Sequence, residues 1–399
     1  MIFIQNDFKT IQFAVYFTDI DKESTRVYRF LLPKLLVAHN NKLSSRILMN
    51  QELENLYGAY FSTRVEQLGN FSVVSIVLTI VEPKIVEDDA LLDKGLALLK
   101  DVLFEHDVFN KAIFNEEKRM LIEQWETLKD NRRLYAQTKF NEHFFETDLA
   151  GYPISGTLAD VKKITLEKMT KYYKKIFLNN AIKIVVNGRI NDNDIKKIEG
   201  IMTQERRIEY PFQTIFRDPR PVKTIFEETE MNQAILKVGY HFPIFRADPL
   251  YDAAVILDTI LGSSPNSRLF QEIREKQGLC YDINLSYDYY KGAITITSGV
   301  DTIHKELALD SIQALVEDMK KNGVTQNELD LAKIYYKHQI KNSLDSQSVL
   351  TKRAFIRDLL FYHESIEERL ASIDKITMRD VNETLSKLTL DTVYVLFGG

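Results

Sequence analysis

The sequence predicts an α+β fold of two homologous domains, each a mainly antiparallel sheet with helices packed on one face. Three observations predict it. Two stretches of the chain repeat in the same order, alternating strand runs recur in corresponding places of both halves, and apolar helical stripes follow those runs. Length agrees, because 399 residues exceed what one hydrophobic core usually holds.

The first repeat sets LADVKKITLEKMTKYYKKIFLNNAIKIVVNG, from Leu158, against LASIDKITMRDVNETLSKLTLDTVYVLFGG, from Leu370. Each copy reads as a helix leading into an apolar strand that stops at glycine, at Gly188 and at Gly398 and Gly399. Thr165 and Thr377 stand where a helix N-cap is expected. The second repeat sets SRILMNQELENLYGAY, from Ser45, against SRLFQEIREKQGLCY, from Ser267. Similarity at two ordered places, with only short insertions between, points to duplication rather than chance.

The strand runs come next. Ile11, Phe13, Val15 and Phe17 alternate with Gln12, Ala14 and Tyr16, which predicts a half-buried strand. Leu236, Val238, Tyr240 and Phe242 repeat the pattern at the start of the second half. Val74, Ile76, Leu78 and Ile80 form another run, matched by Ile294 and Ile296. Leu92, Leu96, Leu99 and Leu103 form a helical stripe, with Ala308, Ile312, Leu315 and Met319 as its counterpart. Thr325 followed by Glu328 is a capping box that opens a long helix. Loss of period and three prolines (Pro211, Pro219, Pro221) place a linker at 206–226. The expected domains are 1–205 and 227–399.

Composition is ordinary for a globular chain, 45% hydrophobic and 27% charged. A net charge of −5 argues against a general nucleic-acid binder, which needs a surface that neutralises phosphates. The single cysteine, Cys280, allows no internal disulfide and no cysteine-based zinc cluster, and it fits a reducing compartment. The N-terminus shows no signal-peptide pattern. The most apolar stretch, 71–81, is too short to cross a bilayer. The expectation is a soluble cytoplasmic protein with no membrane partner.

Self-contained active sites are missing. The chain has no G-x-G-x-x-G, no Walker loop and no G-x-S-x-G elbow. Cys280 has no histidine near it in sequence and reads as a buried structural thiol. The seven histidines are His39, His106, His143, His241, His304, His338 and His363, and no two stand at i, i+4. That spacing is how one helix presents two nitrogens to one zinc ion. His363-Glu364 is the nearest imitation.

The segment SSPNSRLFQEIREKQGLCYDINLSYDYYKGAITITSGV, from Ser263, resembles the C-terminal-domain signature of the pitrilysin (insulinase) and mitochondrial-processing-peptidase family. The matching letters are S-R-L-F-x-x-I-R-E-K-x-G-L-x-Y. With the duplication, the resemblance covers nearly the whole chain. It implies that Arg274 holds a substrate backbone and that Tyr281 donates to the carbonyl oxygen as it becomes an oxyanion, both at the zinc site of an opposite domain. The chemistry is sound, since peptide hydrolysis builds negative charge that preorganised donors stabilise. Gly278 suits a left-handed helix cap, which would set both side chains at one corner. Residue type alone would make Arg274 a solvated helix residue and Tyr281 an ordinary strand tyrosine; the frame of matched letters reverses that.

Active members of that family carry H-x-x-E-H on the first helix of the N-terminal half and a glutamate downstream. Here those positions fall on Arg29, Leu32 and Pro33. The third ligand falls on Gln124, with Glu123 beside it. A guanidinium repels a cation, leucine cannot act as a base, proline offers no ligand, and a glutamine is a poor substitute for a carboxylate. NDFKTIQFAVYF together with LENLYGAYFSTRVEQLGN is similar to a zinc-less bacterial branch associated with elongation factor P aminopentanol modification or with bacteriocin maturation. The resemblance implies a non-catalytic subunit of a heterodimeric zinc peptidase. It would bind no cofactor itself and give Arg274 and Tyr281 to a zinc-bearing homologous partner. The rival is a structural or peptide-binding scaffold with no part in catalysis. A homodimer when alone stays open.

Overall fold

The structure is a computed structural model that describes residues 1–399 apart from 147, 216 and 363. His363, of the His363-Glu364 pair, lies outside the described residues. Among the described residues ten strands run in chain order: β1 (Ile2–Gln5), β2 (Thr10–Ile20), β3 (Tyr60–Leu68), β4 (Phe71–Val81) and β5 (Ala181–Gly188), then β6 (Lys223–Thr229), β7 (Gln233–His241), β8 (Cys280–Asp288), β9 (Ala293–Asp301) and β10 (Thr389–Gly398). They form two five-stranded sheets, ordered β1-β5-β2-β4-β3 and β6-β10-β7-β9-β8. Each strand of the second sheet occupies the place of the strand five earlier in the first. The duplication seen in sequence is therefore a duplication of topology. In each sheet one outer pair is parallel, β1 with β5 and β6 with β10. The other pairs are antiparallel.

The local signals behave as their chemistry demands. Thr165 accepts from the Lys168 N–H, and Thr377 forms a full capping box with Asp380. Thr325 does the same with Glu328, its N–H donating to the carboxylate at 2.8 Å. Leu96, Leu99 and Leu103 are sealed from solvent, as are Ala308, Ile312 and Met319. Both strands predicted to stop at glycine do so, β5 at Gly188 and β10 at Gly398.

Contacts divide the chain into two units. One comprises Met1–Thr127, Tyr152–Gln213 and Ser343–His363; the other comprises Leu128–Gly151, Thr214–Asn342 and Glu364–Gly399. The boundary at 206–226 is thus one of several crossings. Each half of the chain lends one helical segment to the sheet of the other, and the last residues of the expected linker, from Lys223, already belong to β6.

This exchange overturns the half-buried reading of the central strands. In β2 the residues from Ile11 to Thr18 are all buried. Phe13, Val15 and Phe17 face the main core of the first unit. Tyr16, on the opposite face, stacks on Phe355 of the helix Gln347–Leu359 at 3.8 Å between ring centroids. Gln347 donates to the carbonyls of Thr10 and Asn187, both at 2.8 Å. The polar positions that looked solvent-facing serve this buried network. In the second unit the helix Arg132–Phe145 covers β7 in the same way. A Cβ on Gly239 would stand 2.6 Å from Phe140 Cζ, so glycine there answers to close approach.

Candidate functional site

Arg274 and Tyr281 belong to the second unit, on consecutive elements. Arg274 sits in the last turn of the helix Leu269–Lys276, which is wound with wide π-type turns. Gly278 follows at φ +61°, with nothing within 4 Å of a would-be Cβ. The glycine is thus needed for its backbone conformation rather than for space. Leu279 N–H closes back onto the Ile273 carbonyl at 3.1 Å, and β8 begins at once.

The strand start is irregular in a useful way. Cys280 pairs with Val300 and Asp282 with Gly299, so Tyr281 is the extra residue of a β-bulge. Bulges re-aim side chains, and Tyr281 is 61% exposed on this edge strand. Its neighbours are fixed. Cys280 is buried, with its thiol pKa raised by burial. Asp282 takes a two-pronged ion pair from Arg133, at 2.9 and 3.0 Å. A Cβ on Gly299 would lie 2.6 Å from the Asp282 carboxylate, so glycine leaves room for the pair.

The Arg274 guanidinium lies over the Phe270 ring at 4.6 Å and approaches Glu275 only at 3.8 Å. Its side chain is 40% exposed. Both residues are thus solvent-accessible, on elements joined by a glycine turn and a bulge. Lys237 on β7 is 3% exposed and donates to Gln137 Oε1 at 2.6 Å and Thr297 Oγ1 at 3.0 Å. Burial, and then the nearby Arg133 charge, lower its pKa to about 8. Sequence reasoning missed Arg133 and Lys237. Arg133 lies on the lent helix, far from β8 in sequence, and Lys237 occupies a strand position that looked solvent-facing.

The predicted zinc positions belong to the first unit and do not form a donor set. Arg29 is 1% exposed on the helix Glu23–Leu36. Its guanidinium donates to the carbonyls of Phe17 and Ser72 and to Ser72 Oγ, all at 2.8 Å. It also donates to Asn180 Oδ1 at 2.5 Å, and Asn180 in turn donates to Asp19 at 3.2 Å. The position expected for the first ligand thus holds a buried, fully engaged cation. Leu32 is core. Pro33 is buried and has no N–H for the helical bond to Arg29. Gln124 and Glu123 face solvent on the helix Lys111–Glu126, and Glu123 pairs with Arg119 at 3.1 Å. The carboxylate that this helix does bury is Glu117, held by Arg46 at 2.5 Å and Lys34 at 3.8 Å. These residues do not fit a zinc ion. Among the described residues no three His, Cys, Asp or Glu side chains gather as a set able to hold a metal.

Two histidines distant in sequence do meet. His39 and His106 pack edge to face at 5.3 Å beside Phe109 and Tyr173. His39 Nε2 accepts from the Asn110 N–H, and His106 Nε2 bonds the Val102 carbonyl. Burial lowers the pKa of both, that of His106 to about 4. They form a neutral packing pair, with one ring nitrogen of each already spent.

The comparisons with known proteins agree with this geometry. Residues 163–336 match the family profile described as the Peptidase M16 inactive domain. The matched stretch is less than half of the chain, which is thus similar to M16 peptidase proteins over that part. It is 25% identical over 377 residues to the protein named probable inactive metalloprotease YmfF of Bacillus subtilis, covering 93% of this chain and 88% of that one. It is 25% identical to a Helicobacter pylori protein named non-peptidase homolog YmxG, over 74% of this chain and 69% of the other. Among solved structures, a conserved protein from Enterococcus faecalis superposes with a TM-score of 0.90 at 23% identity, covering 100% of this chain and 96% of that one. An M16 inactive domain from Pseudomonas fluorescens gives 0.80 at 19%, covering 99% and 95%. The likeness to these two solved structures shows the fold. No helix among the described residues is long and apolar enough to cross a membrane.

Proposed function

We propose that this chain is a non-catalytic subunit that completes the active site of a zinc-bearing homologue. One observation carries the reading: Tyr281, the extra residue of the β8 bulge, is turned out to solvent, one short turn after the helix that carries a part-exposed Arg274. A phenol and a guanidinium so placed suit the charge that develops on a peptide carbonyl under attack. Arg274 orients the substrate backbone, and Tyr281 donates to the oxygen as it becomes negative. This chain supplies no zinc, since Arg29 fills the first ligand position with a buried cation. The partner therefore supplies the metal and the general base. The peptide adds as a strand to an open sheet edge, for which β3, near Ala59 to Gln67, is suited as an outermost strand with alternating exposure. The assembly works in the cytoplasm.

The test is reconstitution with the zinc-bearing homologue found by co-purification. Tyr281→Phe lowers turnover by about 10²-fold or more, the range for losing one oxyanion donor, with little loss of assembly. Unchanged turnover would count against the role in trans. The relatives named inactive or non-peptidase favour a second reading, a scaffold that binds peptides or partners without taking part in catalysis. Arg274→Ala combined with Tyr281→Phe separates the two, because a scaffold keeps its binding.

A further inference from the structure

A cavity of about 360 Å³ opens in the first unit, between the start of β5 and the helix Gln347–Leu359. That is within the roughly 300–1,000 Å³ of ordinary ligand clefts. Its floor is apolar: Phe355 and Leu359 are both buried. Its rim is cationic. Lys183, Arg206 and Arg207 line it against one carboxylate, Asp358. Lys183 is spent on Asp358 at 3.0 Å, and Arg206 donates to the Leu178 carbonyl. Arg207 has no ion pair or side-chain hydrogen bond among the described residues, so the lining carries uncompensated positive charge beside apolar surface.

Two backbone features point the same way. Arg206 and Ile182 exchange both hydrogen bonds of an isolated antiparallel bridge, at 2.9 and 3.1 Å. By strand alternation Arg207 then turns its own N–H and C=O away from β5, toward an added strand. Phe361, at the mouth, is 81% exposed and held at φ +52°. A bulky residue in the left-handed region is strained, and such strain gathers at binding and switch segments.

We propose that this cavity binds the carboxyl-terminal end of a peptide whose last side chain is apolar. The α-carboxylate meets Arg207, the side chain enters over Phe355 and Leu359, and Phe361 folds against it. The site is built by the first unit alone, without Arg274 or Tyr281 and without a partner subunit, so it stands or falls independently of the proposed function.

The test is isothermal titration of the full chain with acetyl-Ala-Leu-Phe, its carboxamide, and dodecanoate. The expected result is saturable binding of the acid and about tenfold weaker binding of the amide, for loss of a charge-assisted contact. Arg207→Ala weakens the acid by about the same factor and leaves the amide unchanged. Phe361→Ala weakens both. Absence of binding, equal affinity for acid and amide, or indifference to Arg207→Ala overturns the proposal. So does dodecanoate binding as tightly as the peptide, which would make the site one for anionic amphiphiles.

Discussion

Replacing Arg29 by leucine should destabilise the first unit severely. The guanidinium is 1% exposed and gives up three bonds of 2.8 Å and one of 2.5 Å on truncation. Two of the acceptors are backbone carbonyls, which cannot turn away. Each buried acceptor left short of a donor costs about 1–3 kcal/mol, offset in part by the release of a desolvated charge. A net loss of about 3–5 kcal/mol follows, the range for breaking a buried charged network. For a unit of this size that lowers Tm by roughly 6–20 °C. Differential scanning calorimetry reads it directly. Arg29→Lys should fall short of rescue, because one ammonium cannot reach both Ser72 and Asn180 as the planar fork does. An Arg29→Leu chain as stable as the parent, or more so, would refute the reasoning. The residue would then be dispensable rather than the structural replacement for a ligand.

Acid should weaken the first unit through His106. Its folded pKa, about 4, lies below the unfolded value, so the unfolded chain binds the extra proton first. The stabilisation is whole above about pH 6.5 and is lost as pH falls toward 4, up to about 3 kcal/mol for this group. Thermal melts across that window should show the slope, and His106→Asn should flatten it; an unchanged slope rules His106 out as its source. Gly239→Ala should cost about 1–3 kcal/mol by overpacking against Phe140 and Phe144, read as a lower urea midpoint, whereas the open position at Gly200 tolerates alanine.

Much of the fold was legible because duplication leaves two copies of every signal. Thr165 and Thr377, Ser45 and Ser267, and the glycine-terminated strands each recur, and the two sheet orders repeat strand for strand. The reading failed where the chain crosses between units. Gln12 and Tyr16 look like the wet side of a strand, yet the helix that buries them begins at Gln347. No period in the sequence reports a partner that far away. The parallel pairing of β1 escaped for a simpler reason, since four residues are too few for an alternating pattern to register.

The candidate site shows the same division. Arg274, Gly278 and Tyr281 sit within eight residues, and their geometry follows from a cap and a strand start. Arg133, which pairs with the adjacent Asp282, comes from a distant segment and carries no motif. The motif positions on Arg29, Leu32 and Pro33 could be read as lost ligands, but not that Arg29 would be sealed inside the unit and tied to Ser72 and Asn180. That depends on β4 and on the turn before β5 arriving at one helix face.

The most direct measurement is the metal content of the chain purified alone, equilibrated with one equivalent of zinc and desalted. With a guanidinium, a leucine and a proline at the expected ligand positions, elemental analysis should find far less than one zinc per chain. One tightly held zinc per chain, lost when residues of the first unit are mutated, would contradict the reading of this subunit as dependent on a partner for its metal.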